Sequence, residues 1–285
     1  MIAYLGTGLL GSGFVKRLLQ NGKQVQVWNR TASKSHALEE FGAKAFGTPA
    51  EAVKGARVIH LTLSDDVSVD DVLQQAKVGM QPGVTIIDHT TTTAKGAIER
   101  TRKWAEEGYT YLHAPVFMGP INALEATGYM LVSGNQDVVK KLEPQLATMT
   151  GKVVNFGPEE GKAAAIKLMG NLFLITFTAG IADTMAIAKA LNITGTEMNM
   201  LFDTWNPGAS LPSRLKRMLS AQYDNPSWEL SMSRKDARLM MQEADDANTV
   251  LKVIPTIAAE MDKLIAKGMG SKDWSVLGMD NIPAK

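Results

Sequence analysis

The chain has 285 residues, no cysteine, and 30 basic against 29 acidic residues, for a formal net charge of +1. Its length is enough for a sizeable core and two domains. Near-neutral charge offers no broad footprint for nucleic acid or an anionic membrane, and the missing cysteine excludes disulfides, thiolate nucleophiles and thiolate zinc sites.

The N-terminal run MIAYLGTGLLGSGFV lacks the basic start and small-residue cleavage site of a secretory signal, so a cytoplasmic location is expected. In chain order, IAYLG, QVQVW, VIHLTL, VTIID and YLHAPV read as strands, and 9–21, 33–41, 49–54, 66–76 and 93–107 read as helices. That alternation is the mark of βαβ units and a mainly parallel sheet. After about residue 160 the pattern turns to Ala-, Leu- and Met-rich helices with no clear strand. The punctuation GPEEG at 157–161 places a boundary between a domain of residues 1–158 and one of 159–285. The fold class expected is therefore α/β, with a doubly wound parallel sheet followed by an all-helical domain. The uncharged run 168–182 is shorter than the ~20 residues of a bilayer span.

Gly6-Thr7-Gly8-Leu9-Leu10-Gly11 is a GxGxxG turn that leaves a strand and opens a helix. Its glycines allow a tight turn, close approach of a pyrophosphate, and close helix–strand packing, with the helix N-terminus favouring the anion. The second strand ends in Asn29, Arg30 and Thr31, where an NAD site usually offers an acid to the ribose 2′-hydroxyl. A carboxylate would repel a 2′-phosphate, whereas Arg30, with Thr31 and Lys34 nearby, supplies donors, so NADP (NADPH) is the expected cofactor. The bland reading is a glycine-rich turn followed by a solvated loop cation.

In GKAAAIKLMGNLFLITFTAG, 161–180, Lys167 stands alone at the mouth of an apolar run, and a buried amine is costly unless paired or used. Asn171, four residues on, shares its helical face. Lys167 either serves chemistry or snorkels to the surface. Within the run Thr90–Thr93, a hydroxyl can equally meet a cofactor or cap a helix. His60, His89 and His113 fall near strand ends without ligand-like spacing and read as structural or cleft-lining, so no metal is expected.

GxGxxG, WNRT (28–31), IIDHTTT (86–92), HAPVFMGP (113–120), the G-x5-K-x3-N of Gly161, Lys167 and Asn171, and KDARLMMQEA (235–244) together resemble the β-hydroxyacid dehydrogenases over nearly the whole chain. That group includes 3-hydroxyisobutyrate dehydrogenase, tartronate semialdehyde reductase and glyoxylate/succinic semialdehyde reductases. The resemblance implies a Rossmann domain, a long interdomain helix carrying the catalytic lysine, and a helical domain that builds a homodimer or homotetramer. It casts Lys167 as that lysine, Asn171 as a substrate-positioning amide, Thr91 as a hydroxyl near nicotinamide and substrate, Leu63 and Ser64 as the loop beside the adenosine half, and Lys235 as a lysine closing over the cofactor.

The chain departs from the resemblance at one place. The family usually has Asp-Ala-Pro-Val-Ser-Gly-Gly, and here Phe117 and Met118 precede Gly119, replacing the serine and first glycine that cradle a substrate carboxylate. These side chains either narrow and dehydrate the pocket or pack inward. The expected function is an NADP-dependent oxidoreductase interconverting a small β-hydroxy acid, or related hydroxy compound, and its aldehyde or ketone, with lysine as acid/base. The alternatives are imine reduction, or a non-catalytic NADP-binding sensor or scaffold.

Overall fold

The computed structural model describes residues 1–284. The chain divides into two compact units, Met1–Leu172 and the remainder from Phe173. This division falls inside a long helix, whereas 158/159 marks the loop before that helix.

The first unit is built on six parallel strands: β1 Ile2–Leu5, β2 Val25–Trp28, β3 Lys44–Ala45, β4 Val58–Leu61, β5 Thr85–Asp88 and β6 Thr110–His113, in the order β3-β2-β1-β4-β5-β6. Both faces of β1 and β2 are buried, because helices α1 Leu9–Gln20, α2 Ala32–His36, α3 Pro49–Ala52, α4 Asp66–Ala76 and α5 Ala94–Glu106 cover a parallel sheet on both sides. Register aligns the strand ends: Leu5 pairs with Trp28 and Leu61, and Leu61 with Asp88. The loops that follow therefore open along one edge, where the strand order reverses between β1 and β4 and such sheets bind ligands.

Two expected elements are broken. The helix read at 33–41 is α2 followed by a separate 3₁₀ turn, Glu39–Phe41. The run YLHAPV is two strands, because Pro115 has no N–H for a ladder; β6 stops at His113, and β7 Val116–Phe117 opens a second sheet. There β8 Tyr129–Val132 runs antiparallel to β7 and β9 Lys152–Asn155 parallel to β8, with α6 Pro120–Glu125 and α7 Gln136–Leu146 as connectors. This three-stranded sheet has no counterpart in the pattern reading, since elements this short carry little periodicity.

From Lys162 the described residues form helices and the loops between them, with no strand beyond one isolated bridge between Glu229 and Asp273. Helix α8, Lys162–Ala190, runs unbroken for 29 residues across the division between the units, so the expected long helix is present. By length and composition alone it would also span a bilayer, which the charge-free run of 168–182 understated. The second unit adds α9 Gly195–Thr204, α10 Leu211–Leu219, α11 Leu230–Asp246 and α12 Ile254–Leu264 around Tyr223, Leu230, Met261, Leu264 and Val276. Asp183 accepts the N–H groups of Lys252, Val253 and Ile254 at 2.9, 2.8 and 3.1 Å and so ties α8 to the start of α12.

Beneath the first sheet's edge lies a histidine chain whose tautomers follow from its acceptors. The carbonyl of Ala114 can only accept, so His89 Nδ1 donates to it at 2.8 Å. His89 Nε2 then accepts from His60 Nδ1 at 2.9 Å, and His60 Nε2 accepts from Gln145 at 3.1 Å. Burial holds both rings neutral, with His89 pulled down to about 4 and His60 well below the usual range. The unfolded chain takes up protons near an ordinary histidine pKa of about 6.5, before the folded chain does. The stability from these neutral rings is thus complete above about pH 6.5 and declines as pH falls toward 4. The thermal midpoint is expected to drop between about pH 7 and about pH 5, ahead of most carboxylate titration; an unchanged midpoint would show that the pair is not held neutral.

Candidate dinucleotide cleft and lysine site

The GxGxxG turn has the geometry that its spacing requires. Gly6 sits at φ +93°, and a Cβ there would lie 2.2 Å from the Thr62 carbonyl oxygen. At Gly11 a Cβ would lie 2.0 Å from the Gly6 oxygen, so α1 packs closer to β1 than any side chain permits. A Cβ on Gly8 would meet nothing within 4 Å, which leaves open space above that backbone. The first intrahelical bond is Ser12 N–H to Gly8 O at 2.9 Å, so the N–H groups of Leu9, Leu10 and Gly11 precede the ladder and form an anion-seeking terminus.

A cleft of about 520 Å³ is lined by Gly6, Gly8, Leu9, Leu10 and Gly11, by Asn29, Arg30, Thr31 and Lys34, and by Leu63 and Ser64. Thr7 is buried beneath the turn, and its hydroxyl has no partner among the described residues. Asn29 acts as a brace: its Oδ1 accepts Thr7 N–H at 3.0 Å and its Nδ2 donates to Thr31 O at 3.0 Å. Arg30, Thr31 and Lys34 are exposed at the cleft mouth, and no carboxylate ends β2. The structure adds Trp28, Thr62, Ser68, Asp71, Val72 and Gln75 to the lining. The last four had a readable signal, since their spacing places them on one face of α4 directly after the Leu63–Ser64 loop.

Across β5, the four threonines divide their roles. Thr90 Oγ1 accepts Leu63 N–H at 3.0 Å and so ties the β5 loop to the cleft wall. Thr93 caps α5 by accepting Gly96 N–H at 3.0 Å. Thr92 Oγ1 lies 3.2 Å from His113 Nε2, which donates to Thr90 O at 2.9 Å. Thr91 alone is left partly exposed with no hydroxyl partner among the described residues.

Lys167 is 8% exposed. The start of its helix is fixed by Ser133 Oγ, which accepts Ala163 N–H at 3.0 Å, and by Gly161, whose close pass leaves Ile98 Cγ1 only 2.8 Å from where a Cβ would stand. The Lys167 amine donates to Asn171 Oδ1 at 2.9 Å and lies 4.3 Å from the centre of the Phe117 ring. Among the described residues it has no ion pair, and burial lowers its pKa. The i, i+4 spacing thus brings Lys167 and Asn171 together, and the fold adds Phe117. Met118 packs against the first hydrophobic core, and Gly119 N–H is taken by Asn122 Oδ1 at 2.8 Å. Lys235 lies in the second unit, where it pairs with Asp236 at 2.6 Å. No group of three or more His, Cys, Asp and Glu among the described residues is placed to hold a metal.

Strand order, glycine turn and cleft define a dinucleotide-binding Rossmann domain. Residues 1–157 match the NAD binding domain of 6-phosphogluconate dehydrogenase. The chain belongs to the 6-phosphogluconate dehydrogenase/3-hydroxyisobutyrate dehydrogenase family. It is 32% identical over 254 residues to the cytokine-like nuclear factor N-PAC of Xenopus tropicalis, covering 87% of this chain and 47% of that protein. It therefore spans about half the length of these N-PAC relatives. Glyoxylate/succinic semialdehyde reductase 2, chloroplastic, of Arabidopsis thaliana is 28% identical over 283 residues, covering 95% of this chain and 76% of that protein. In fold, the chain resembles the imine reductase of Myxococcus stipitatus in complex with NADP+, with a TM-score of 0.89, 21% identity, and coverage of 97% of this chain and 98% of that one.

Proposed function

We propose that the protein is an NADP-dependent reductase or dehydrogenase that interconverts a small hydroxy compound, a β-hydroxy acid or a relative of one, with its aldehyde or ketone. The observation that carries this reading is Lys167: a buried amine without an anionic partner among the described residues, held between an amide oxygen and an aromatic face. NADPH bound in the cleft supplies the hydride. Reduction leaves negative charge on the substrate oxygen, which the Lys167 ammonium stabilises and protonates. Asn171 orients the amine, Thr91 offers a hydroxyl toward the substrate, and Phe117 excludes water beside the reacting carbon. In this reading Lys235 closes over the cofactor, and the enzyme is cytoplasmic.

For the cofactor, Arg30 and Lys34 at the cleft mouth favour a 2′-phosphate. Arg30→Ala is expected to weaken NADPH binding roughly 10- to 100-fold while leaving NADH within about threefold, because only the phosphate contact is charge-assisted. Calorimetric titration with both nucleotides checks this, and equal losses would refute it.

A second reading, imine reduction, is favoured by Phe117 where the family places its carboxylate-cradling serine, and by the occupied Gly119 N–H. A panel of matched aldehydes, ketones, their carboxylate-bearing forms and cyclic imines, read by NADPH oxidation, separates the two. Stoichiometric NADPH binding with no turnover on any of them would instead support a sensor or scaffold.

The partner we propose is a second copy of this chain, in a homodimer or homotetramer. Leu168, Phe173, Leu174, Ile175 and Phe177 on α8 are exposed as a run that a soluble protein covers. A monomeric mass by light scattering would overturn this.

A further inference from the structure

Lys167 has a polar partner on one side only. Asn171 Oδ1 accepts from its amine at 2.9 Å, and in place of a carboxylate the amine faces the Phe117 ring, 4.3 Å from the ring centre. A ring face carries negative quadrupolar charge and attracts an ammonium most strongly where water is excluded. The ring is itself confined. A Cβ on Gly170 would stand 2.3 Å from Phe117 Cζ and 2.8 Å from Cε1, so the ring occupies the space that a side chain at 170 would need. Phe117 is anchored by its pairing with Tyr129 at the end of β7, which places the ring against the turn of α8 between Lys167 and Asn171.

We propose that Phe117 is the positioning residue for Lys167. Its ring face holds the ammonium toward the substrate, and Gly170 supplies the space for the ring. The inference rests on the reading of Lys167 as the proton donor but concerns a different property, namely what keeps that amine charged and aimed. A carboxylate partner would neutralise the ammonium and raise its proton affinity strongly. An aromatic face gives weaker stabilisation without a formal charge, and so opposes only part of the cost of burial. Burial lowers the Lys167 pKa, and among the described residues no ion pair opposes that shift.

The test titrates the amine directly. In protein labelled with isotope-enriched lysine, the ε-carbon signal of Lys167 is identified by its loss in Lys167→Arg and followed against pH by NMR, with no need for turnover. Phe117→Leu keeps an apolar wall but removes the ring face, and is expected to lower the Lys167 midpoint by about 0.5 to 1.5 pH units. Phe117→Tyr keeps the face and should restore it. Gly170→Ala leaves Phe117 in the chain but displaces its ring, and should lower the midpoint in the same direction; it carries the test if Phe117→Leu does not fold. The high-pH limb of kcat for reduction should move with these midpoints. An unchanged midpoint in Phe117→Leu and Gly170→Ala, or an equal shift in Phe117→Tyr, would overturn the proposal. If the midpoints shift as expected while Lys167→Met retains full turnover, the contact stands and the proton-donor reading fails.

Discussion

Lys167→Met is expected to lower kcat for the best carbonyl substrate by roughly 10³-fold or more, while NADPH affinity and thermal unfolding stay close to those of the parent protein. Methionine keeps an unbranched apolar stem, so the packing of α8 beside Ala163 and Ala164 is retained. The cleft that lines the glycine turn does not include this residue, so binding of the nucleotide is spared. Loss of a proton donor costs roughly 10²- to 10⁴-fold, and loss of charge stabilisation at the same oxygen adds to it. The deficit belongs in kcat more than KM, because the interaction strengthens as charge develops on the substrate. Steady-state and single-turnover reduction across the substrate panel check the result. A Lys167→Met protein with unaltered kcat would return the residue to a lysine that merely reaches the surface.

The second large effect is structural, with a functional consequence. Arg100, 2% exposed on α5, donates to Asp66 at 2.6 Å, to Asp70 at 3.3 Å and to the Tyr111 hydroxyl at 3.1 Å. Tyr111 in turn donates to Asp88 Oδ2 at 2.6 Å, and Asp88 Oδ1 accepts Thr90 N–H at 2.8 Å. One guanidinium therefore joins α4, α5, β6 and the loop that carries Thr91. Arg100→Met removes the cation and leaves Asp88 and Tyr111 buried without it, a change expected to cost about 3–5 kcal/mol. For a chain of this size that is a fall of roughly 6–20 °C in the thermal midpoint of the first unit. Arg100→Lys keeps the charge without the planar fork and should recover only part of the loss. Urea or thermal unfolding reads the outcome, and a loss under about 1 kcal/mol would show that solvent replaces the guanidinium.

Much of this was present in local order. Alternating apolar runs and helical segments determined a parallel sheet, because strand and helix periods are properties of neighbouring residues. Gly6, Gly8 and Gly11 declared a dinucleotide turn, and the structure shows that a side chain at Gly6 or Gly11 would meet backbone, while Gly8 leaves open space at the turn. The i, i+4 spacing of Lys167 and Asn171 sufficed to put amine and amide together, as their 2.9 Å hydrogen bond shows. The change near residue 160 marked where strands cease, and Arg30 marked a β2 end without an acid.

Other features depended on partners far apart in the chain. Which threonine of Thr90–Thr93 is left available was decided by Leu63, His113 and Gly96, and only the last of these lies within a helical turn of the run. The sequence treats Phe117 and Met118 as one bulky pair, yet Phe117 ends β7 with its ring at Lys167, while Met118, just past the strand, packs against the core as Val116 does. His60, His89 and Gln145 become one hydrogen-bonded chain only when β4, β5 and α7 are assembled. Composition and spacing determine which groups a chain carries and which near neighbours share a face. Which distant donor meets which acceptor is decided by the packed core, where an unpaired polar group is costly enough to select one arrangement.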